Sequence, residues 1–262
     1  MSILVTGSSG FLGTYFINKL DKTGTKYLGI DIKKNFFINI KNFKKIDIRN
    51  SNDLNLIFRK YKFKKVIHFA AIPGFDDCQK NSKLAFDTNV IGTNNLVEVS
   101  KKFKVNNFIF ISSFSTKNYF SKISTYGMTK FTGEQIIINN KKNYSFNGCV
   151  VRLSNIFGKY SLHKKSVVHQ FLKNFIKKKV FLIHDTGKQK RDLIYAGDVI
   201  EKLFSLSNEK KFSKDFYEIS KKNMISINKL KMLIDKITSK NNLSQKIRAP
   251  KGYDTEILNI KS

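Results

Sequence analysis

The sequence predicts an α/β protein built on a doubly wound parallel sheet, with a smaller C-terminal region that caps it. Three observations support this fold class. Short apolar runs alternate with amphipathic stretches over residues 1–158, the first run leads into a glycine-rich turn that opens a helix, and the alternation loosens after Gly158. We therefore expect a larger domain over residues 1–158 and a smaller one over residues 159–262. Residues 190–220 are expected to return in part to the larger domain.

The individual elements follow from the spacing of apolar residues. Apolar runs bounded by turn residues predict the strands Met1–Thr6, Lys26–Asp31, Lys45–Ile48, Lys65–Ala70, Asn107–Ser112, Gly148–Leu153, Val180–Ile183 and Phe216–Ile219. Apolar residues three and four positions apart predict the helices Phe11–Leu20, Ser51–Tyr61, Ser82–Lys102, Tyr126–Asn139, Ser166–Lys178 and Ser226–Ile237. Ser51 is expected to cap the second helix. This alternation favours parallel strands joined by right-handed crossovers.

The net charge of +30 is the most unusual property of the composition, with 49 lysine and arginine residues against 19 aspartate and glutamate residues. A basic protein often binds nucleic acid or an anionic surface. Here only 5 of the basic residues are arginine, and the lysines are scattered along the chain. Drift of surface positions toward lysine, a residue of A/T-rich codons, explains this scatter better. We expect no nucleic acid partner, although a nucleic-acid binder stays open as an alternative.

Other properties of the chain bear on its location. No uncharged apolar run approaches the roughly 20 residues of a membrane-spanning helix, and no basic segment precedes an apolar one at the N-terminus, as in a secretion signal. Cys78 and Cys149 have neither CxxC spacing nor a histidine partner. We therefore expect no disulfide, no metal site and buried thiols. These observations predict a cytoplasmic protein that does not bind membranes.

A glycine-rich turn follows the first predicted strand, in the order Thr6-Gly7-Ser8-Ser9-Gly10-Phe11-Leu12-Gly13. In turns of this kind the first glycine permits the tight turn, the second lets the backbone approach a pyrophosphate, and the third lets helix and sheet pack closely. The phosphates would bind at the helix N-terminus. Asp31 ends the second strand, where a carboxylate binds a ribose 2′-hydroxyl and repels a 2′-phosphate. The turn therefore predicts a Rossmann domain that prefers NAD to NADP, a preference that Lys33 and Lys34 would weaken.

A second motif, Tyr126-Gly127-Met128-Thr129-Lys130, has the spacing YxxxK on a predicted helix. Residues four positions apart share one helix face, so the phenol and the ammonium group are expected to be neighbours. The positive charges of Lys130 and of the nicotinamide ring would favour the phenolate, which would make Tyr126 a base near neutral pH. Ser113 follows the fifth strand and is expected to hold the reacting hydroxyl group. Ser113, Tyr126 and Lys130 are therefore the candidate catalytic residues.

At these positions the chain resembles the extended short-chain dehydrogenase/reductases, and among them the NAD-dependent epimerase/dehydratase family. The resemblance rests on the glycine-rich turn, Asp47-Ile48-Arg49, His68-Phe69-Ala70-Ala71, Asn89-Val90-Ile91-Gly92-Thr93, the candidate catalytic residues, Arg152-Leu153-Ser154-Asn155-Ile156-Phe157-Gly158 and the segment from Gly187 to Asp198. It implies that NAD contacts Gly7, Ser9, Gly10, Phe11, Leu12, Gly13, Asp31, Asp47, Ile48, Phe69, Ala70, Ala71, Asn89, Tyr126 and Lys130. The implied substrate contacts are Ser113, Asn155 and Arg191, and Arg248 is a further candidate for binding phosphate.

The resemblance implies an NAD-dependent epimerase of the 4-epimerase type that acts on a nucleotide-diphosphate sugar. It would oxidise the sugar transiently to a keto-sugar and return hydride to the other face. Arg191 would bind the diphosphate through its planar fork of donors. An NAD(P)H-dependent nucleotide-sugar reductase, a decarboxylase on the same scaffold and a non-catalytic NAD-binding protein stay open. Dehydration is disfavoured, because Ser113-Phe114-Ser115 stands where dehydratases carry Thr-Asp-Glu.

The resemblance also bears on assembly and on the sugar site. It implies a homodimer in which the helices Ser82–Lys102 and Tyr126–Asn139 of each subunit form a four-helix bundle. The loop Phe114–Thr125, which helps to wall the sugar site in the family, is shorter than in most members. The sequence therefore names neither the sugar nor the nucleotide.

Overall fold

The structure, a computed structural model, describes residues 3–117, 124–161 and 166–248. Its strands are β1 (Ile3–Thr6), β2 (Tyr27–Asp31), β3 (Phe43–Lys45), β4 (Lys65–His68), β5 (Asn107–Ser113), β6 (Gly148–Leu153), β7 (Asn155–Phe157), β8 (Phe181–His184), β9 (Lys190–Tyr195), β10 (Phe216–Ile219), β11 (Met224–Ser226) and β12 (Ser244–Ile247). The central sheet has the order β10-β6-β5-β4-β1-β2-β3, and its strand pairs are parallel. The strand order reverses between β1 and β4, which is where open α/β sheets bind their ligands. Met1 and residues 118–123, parts of a predicted strand and a predicted loop, lie outside the described residues.

Helices cover both faces of this sheet. They are α1 (Phe11–Lys22), α2 (Ser51–Tyr61), α3 (Phe75–Lys80), α4 (Ser82–Phe86), α5 (Gly92–Lys102), α6 (Thr125–Asn143), α7 (Val167–Ile176), α8 (Ala196–Ser207) and α9 (Ile227–Thr238). Helix α1 packs beside α8, and α5 packs beside α2 and α6. The predicted fold class, a doubly wound parallel α/β sheet, is confirmed. In the described part of the chain, no helix has both the length and the apolar character needed to cross a membrane.

The third strand lies earlier than predicted. It spans Phe43–Lys45 rather than Lys45–Ile48. Ile46 and Ile48 are buried, at 9% and 4% exposure, but they follow the strand. The apolar pattern at these positions reflects burial in the core and not pairing in the sheet.

Two details of the predicted helices also differ. Asn50 rather than Ser51 caps α2, because the Oδ1 atom of Asn50 accepts hydrogen bonds from the backbone N–H groups of Asn52 and Asp53. The predicted helix Ser82–Lys102 is α4 and α5 joined by a π-helical turn. This turn, Asp87–Ile91, contains Asn89, which is expected to contact NAD.

Several elements of the C-terminal half have no counterpart in the sequence prediction. They are β7, β9, β11, β12 and α8. Strand β9 ends at Tyr195 and α8 begins at Ala196. No glycine, proline or asparagine separates the two, so the usual signal of a boundary is missing.

The core of the central sheet lies against α2, α5 and α6 and is rich in phenylalanine. Phe58, Phe63, Phe108 and Phe110 are each at most 1% exposed, and the rings of Phe58 and Phe63 meet edge to face at 5.1 Å. Complete burial of one such side chain contributes about 1.5–3 kcal/mol to stability. These phenylalanines are core residues, as their strand and helix spacing predicts.

The chain forms two compact units. The first comprises Met1–Leu153 and Ala196–Ile219, and the second comprises Ser154–Tyr195 and Ser220–Ser262. The first unit contains the central sheet, to which the chain returns for α8 and β10. The second contains the sheets β11-β9-β7 and β12-β8 with α7 and α9. In its core the rings of Phe171 and Phe181 stack at 4.7 Å. The assignment of cofactor binding to residues 1–158 and substrate binding mainly to residues 159–262 stays a prediction.

Candidate active site

Close packing accounts for two of the three glycines in the glycine-rich turn: Gly7 lies against the end of β4, and Gly13, in α1, lies against the turn itself. Gly7 has a φ of +66°, and a Cβ atom there would lie 2.6 Å from the backbone nitrogen of Ala70. A Cβ atom on Gly13 would lie 2.1 Å from the carbonyl oxygen of Gly7. Gly10 is less constrained, since its Cβ would lie 3.2 Å from the same oxygen. The packing of the turn therefore requires glycine less strictly at position 10, which is the one expected to approach a pyrophosphate.

The N-terminus of α1 fits an anionic ligand. The helix starts after Gly10 without a side-chain cap, and its first turn contains no acidic residue. The first N–H groups of a helix lack partners within the helix, and the helix dipole places partial positive charge there. Of the other predicted contacts in the turn, Phe11 is 4% exposed and Leu12 is half-buried. These features suit the pyrophosphate of a dinucleotide.

Asp31 lies beside the turn, at the end of β2. Its Oδ2 atom accepts a hydrogen bond of 3.1 Å from the backbone N–H of Ser9, and its Oδ1 atom accepts one of 3.2 Å from that of Lys33. The Ser9 hydroxyl donates to the carbonyl oxygen of Lys33 at 2.7 Å. Burial raises the pKa of Asp31, and the two backbone donors oppose that shift. The structure thus brings Asp31 to the phosphate-binding turn, as a dinucleotide site requires.

Two further predicted cofactor contacts lie on the loop after β3. Asp47 is bound by Arg49, with 2.6 Å between Oδ2 and Nη2, and this hydrogen-bonded pair lowers the pKa of Asp47. Ile48 is 4% exposed and packs so closely on Gly92 that a Cβ atom there would lie 2.7 Å from it. Of these two residues, only Asp47 presents a polar group at the surface.

The segment Phe69–Ala71 crosses the turn at the end of β4. The backbone N–H groups of Phe69 and Ala70 donate to the carbonyl and hydroxyl oxygens of Thr6. Asn89 holds the residue that follows this segment, because its side-chain amide donates to and accepts from the backbone of Ile72. The same amide donates to the hydroxyl of Thr129 on α6 at 3.0 Å. In this structure the Asn89 side chain therefore ties the segment to α6.

His68 is fully buried, and its hydrogen bonds give it a structural role. Its Nδ1 lies 2.7 Å from the hydroxyl of Thr6, and its Nε2 lies 2.9 Å from the hydroxyl of Thr93. The Thr93 hydroxyl donates to the carbonyl of Asn89, so it accepts from Nε2. Burial lowers the pKa of His68 to about 3, with a smaller effect from the charge of Lys130. The imidazole is therefore neutral and protonated on Nε2.

The three candidate catalytic residues come together at the end of β5. Lys130 is 4% exposed, and its Nζ donates a hydrogen bond of 2.8 Å to the carbonyl of Ile111. Ser113 accepts a hydrogen bond from the backbone N–H of Ser115, which leaves its proton for the phenolic oxygen of Tyr126. The serine, the tyrosine and the lysine thus share one helix–strand contact within the first unit.

The electrostatics of this group show how burial acts on the tyrosine and the lysine. Burial raises the pKa of Tyr126 to about 12, the nearby Cys78 adds to the rise, and the hydrogen bond from Ser113 opposes it. Burial lowers the pKa of Lys130 to about 8. In the protein alone, burial therefore works against the phenolate form of Tyr126, and the use of Tyr126 as a base near neutral pH with NAD bound stays a prediction. The spacing of Tyr126 and Lys130 in the sequence indicates that they are neighbours, but it does not indicate how much hydration they lose on folding.

Cys78, which is on α3, lies beside the candidate catalytic residues. Its thiol is buried, donates to the carbonyl of Ile72 at 3.3 Å, and has a pKa raised by burial to about 11. Cys149 is also buried and unpaired, as predicted. Within the described residues, no group of three or more His, Cys, Asp or Glu side chains is arranged to hold a metal ion.

Sequence reasoning missed Glu134, which lies one helical turn beyond Lys130. This carboxylate is fully buried and paired with Arg152, with 2.6 Å between Oε2 and Nη2. It also accepts a hydrogen bond of 2.5 Å from the hydroxyl of Ser112. The available signal was the spacing of Tyr126, Lys130 and Glu134, which continues at four residues along one helix face.

The other predicted substrate residues lie in the second unit. Asn155 is exposed on β7 and pairs with Leu193 of β9, two residues from Arg191. Because neighbouring residues of paired strands share a face and side chains alternate along a strand, Asn155 and Arg191 lie on the same face of this sheet. Arg248 is exposed and follows β12, in the other small sheet. The structure thus associates Asn155 with Arg191 but not with Arg248.

Comparison with known proteins places this geometry in a family. The sequence profile named "NAD dependent epimerase/dehydratase family" matches residues 3–219. A UDP-glucuronate 4-epimerase of Thermodesulfobacterium geofontis is 28% identical over 90% of this chain and 80% of its own length. A dTDP-D-glucose 4,6-dehydratase of Homo sapiens is 27% identical over 76% of this chain and 63% of its own.

A solved structure agrees with the fold and the cofactor. The UDP-glucuronic acid 4-epimerase of Bacillus cereus, in complex with UDP-glucuronic acid and NAD, superposes with a TM-score of 0.82. It is 25% identical, and the match covers 95% of this chain and 87% of that one. The glycine-rich turn, the aspartate beside it and the serine–tyrosine–lysine group lie in the part of the chain that the family profile matches. The chain belongs to the NAD dependent epimerase/dehydratase family.

Proposed function

We propose that this protein is an NAD-dependent 4-epimerase of a nucleotide-diphosphate sugar. The observation that carries the proposal is the contact of Ser113, Tyr126 and Lys130 at the end of β5, in the same compact unit as the turn that fits NAD. The similarity to named 4-epimerases of UDP-sugars supports it. When bound, NAD supplies a hydride acceptor that can also return the hydride, and its positively charged ring favours the phenolate form of a nearby tyrosine.

Residues of this chain accept the proton of the sugar hydroxyl and return it. Tyr126 takes the proton from the sugar hydroxyl as that carbon is oxidised, and gives it back when the opposite configuration forms. Ser113 donates its hydroxyl proton to the phenolic oxygen, which stabilises the deprotonated form of Tyr126. The Lys130 ammonium group is oriented by its hydrogen bond to the Ile111 carbonyl. In the protein without NAD the pKa of Tyr126 is raised, so the deprotonation of Tyr126 depends on the charge of bound NAD as well as on Ser113 and Lys130.

The second unit would bind the nucleotide diphosphate. Arg191 supplies a planar cation that suits a diphosphate, and Asn155 lies on the same face of the small sheet. Arg248 is a further candidate, and it is exposed. An alanine at position 191 should raise the KM for the nucleotide sugar more than it lowers kcat, because Arg191 would bind a part of the substrate that does not react.

Dehydration is the competing reaction, because dehydratases of dTDP-D-glucose are among the relatives. Elimination of water needs an acid and a base beside the tyrosine. In the described residues that follow β5, Phe114 is buried beneath the Lys117 side chain, and Ser115 carries a hydroxyl. A carboxylate is present at neither position. The site is therefore better suited to epimerisation.

We further propose a homodimer through α4–α5 and α6. Three large apolar side chains on these elements are exposed: Phe86 at 36%, Ile91 at 53% and Met128 at 39%. A second subunit would remove them from water. Light scattering on the purified protein tests the dimer, which Ile91→Glu should dissociate.

The two free cysteines favour a reducing compartment, the cytoplasm.

The reaction is tested by incubating the protein with UDP-glucose, UDP-galactose, UDP-glucuronic acid and dTDP-glucose, with and without added NAD, and following products by NMR. We expect the C4 epimer of one UDP-sugar and no net formation of NADH. Tyr126→Phe should lower the rate by about 10²–10⁴ while NAD remains bound. Stoichiometric use of NAD(P)H would support a reductase, a 4-keto-6-deoxy sugar would support a dehydratase, and a pentose with CO₂ would support a decarboxylase. The absence of any product would support the non-catalytic alternative.

A further inference from the structure

Helix α6 presents a second charged residue, Glu134, on the face that holds the catalytic tyrosine and lysine. Tyr126, Lys130 and Glu134 follow one another at intervals of four residues, so they form one row along the helix. Lys130 and Glu134 are both buried, at 4% and 0% exposure. A buried charge is retained only where its partners are well placed. The burial of the Glu134 carboxylate therefore needs a physical explanation other than an ion pair at the surface.

Each residue of the row contacts a different one of the last three residues of β5. The Lys130 Nζ donates to the carbonyl of Ile111 at 2.8 Å. The Ser112 hydroxyl donates to Glu134 at 2.5 Å. Ser113 is hydrogen-bonded to Tyr126. Three successive residues of the strand thus fix three successive turns of the helix, and a shift of α6 along β5 would break all three contacts.

Glu134 is the most firmly held member of the row. Arg152 donates to both of its oxygens, from Nε at 3.0 Å and from Nη2 at 2.6 Å. The Thr116 hydroxyl lies 3.0 Å from the same oxygen that Ser112 contacts. On its other side the Arg152 guanidinium lies over the ring of Phe216 at 4.4 Å. This planar fork on strand β6 therefore fixes the position and orientation of the carboxylate.

We propose that Glu134 is a positioning residue for Lys130 and Tyr126. Its carboxylate, fixed by Arg152, holds α6 in register with β5. The same carboxylate stabilises the positive charge of Lys130 in a buried site. Glu134 touches neither substrate nor cofactor in this proposal, and it acts only through the lysine and the tyrosine.

The other groups around Lys130 do not supply this charge. The titratable or charged groups near it are Cys78 on α3, His68 on β4, Tyr126 and Glu134 on its own helix, and Arg152 on β6. Burial keeps His68 neutral, and burial also raises the pKa values of Cys78 and Tyr126. A thiolate at Cys78 would raise the pKa of Lys130 more than Glu134 does, but burial raises the pKa of that thiol to about 11 and so keeps it neutral where Lys130 titrates. Glu134 is therefore the carboxylate that offsets part of the loss of hydration of Lys130.

The test measures the charge of Lys130 directly and needs no substrate. Lysine is labelled with ¹³C at Cε, and the resonance that Lys130→Arg removes is followed by NMR from pH 6 to 11 in the purified full-length protein. In Glu134→Gln the midpoint of this titration should fall by about one pH unit, a tenfold larger neutral fraction at a given pH. Glu98→Gln, which removes the carboxylate of the exposed Glu98–Lys101 pair, should leave the midpoint unchanged.

Two further variants keep the test decisive. Glu134→Asp retains the charge and should restore most of the midpoint. If Glu134→Gln does not fold, the double variant Glu134→Gln/Arg152→Gln removes both buried charges together, and its midpoint should also fall. A merely structural role predicts the opposite sign, because a loosened site admits water and moves the lysine toward its ordinary value of about 10.5. A rise or an unchanged midpoint would overturn the proposal.

The catalytic part of this inference rests on the proposed function. In an active enzyme, the alkaline limb of kcat/KM against pH should move to lower pH in Glu134→Gln by the same amount as the NMR midpoint. If the wild-type protein converts no nucleotide sugar, the proposed function fails, but the NMR titration still decides whether Glu134 stabilises the charge of Lys130. If conversion occurs and the midpoint does not move, only the role of Glu134 fails.

Discussion

Replacing Gly13 with alanine should damage both the stability of the first unit and its binding of NAD. The added Cβ would lie 2.1 Å from the Gly7 carbonyl oxygen and 2.8 Å from the Ser8 Cα. Because ordinary contacts are about 3.5–4 Å, α1 and the turn must separate by more than about 1 Å. Overpacking of this kind costs about 1–3 kcal/mol. The gain from replacing glycine within a helix is at most about 1 kcal/mol, so the clash dominates.

Two other glycines provide matched controls. Alanine at Gly10 meets only one atom, at 3.2 Å, but Gly10 is the N-cap of α1, where alanine is less favourable than glycine, so Gly10→Ala should lower the free energy of unfolding by about 1 kcal/mol at most. The methyl group would nevertheless stand where the pyrophosphate should approach, and NAD affinity should fall at least tenfold. Gly24 has a φ of +64° and open space around it. Gly24→Ala should cost about 1 kcal/mol of stability through backbone strain without changing NAD affinity.

Urea unfolding followed by circular dichroism, together with calorimetric titration with NAD, separates these outcomes. We expect Gly13→Ala to lose both stability and affinity, Gly10→Ala to lose mainly affinity, and Gly24→Ala to lose only stability. If Gly13→Ala unfolds at the wild-type urea concentration, the close packing of turn and helix is not real. If Gly10→Ala binds NAD normally, the turn does not cradle the cofactor.

Three further predictions concern buried charges and cofactor choice. Since the pKa of His68 falls from 6.5 to about 3 on folding, the unfolded state binds the extra proton, and the free energy of unfolding should fall by about 1.4 kcal/mol per pH unit below pH 6.5. Urea unfolding at several pH values should find this slope weakened in His68→Asn. Arg152→Ala leaves Glu134 buried without its partner and should cost about 3–5 kcal/mol in the same unfolding assay. Asp31→Ala should bind NAD more weakly and NADP more tightly in calorimetric titration, because it removes the carboxylate that would repel a 2′-phosphate.

The parallel sheet could be predicted because its strands are short apolar runs buried on both faces. The bounds predicted for Gly148–Leu153 and Phe216–Ile219 agree with β6 and β10. The same apolar signal misled at Ile46 and Ile48, which are buried without being in a strand. Burial in the core and pairing in a sheet both favour apolar residues, so the two cannot be distinguished from one sequence. Only the positions of the neighbouring strands distinguish them.

The candidate site was predicted less completely, for a physical reason. The spacing of Tyr126 and Lys130 indicates that they are neighbours, and Ser113 joins them because β5 ends beside α6. Glu134 four residues later has the spacing of an ordinary surface pair. Its burial depends on Ser112 and Arg152, which come from other elements of the chain. The raised pKa of Tyr126 has the same origin, since loss of hydration is a property of the folded structure.

The most direct test of the account is the fate of hydrogen at C4 of the sugar. A UDP-sugar that the protein converts is prepared with deuterium at C4, and the product is analysed by NMR and mass spectrometry in ordinary water. The account predicts that the C4 epimer keeps the deuterium on C4, because the same hydride is removed and returned within one bound complex. Loss of the deuterium to solvent, or its appearance in free NADH in proportion to product, would contradict the proposed function.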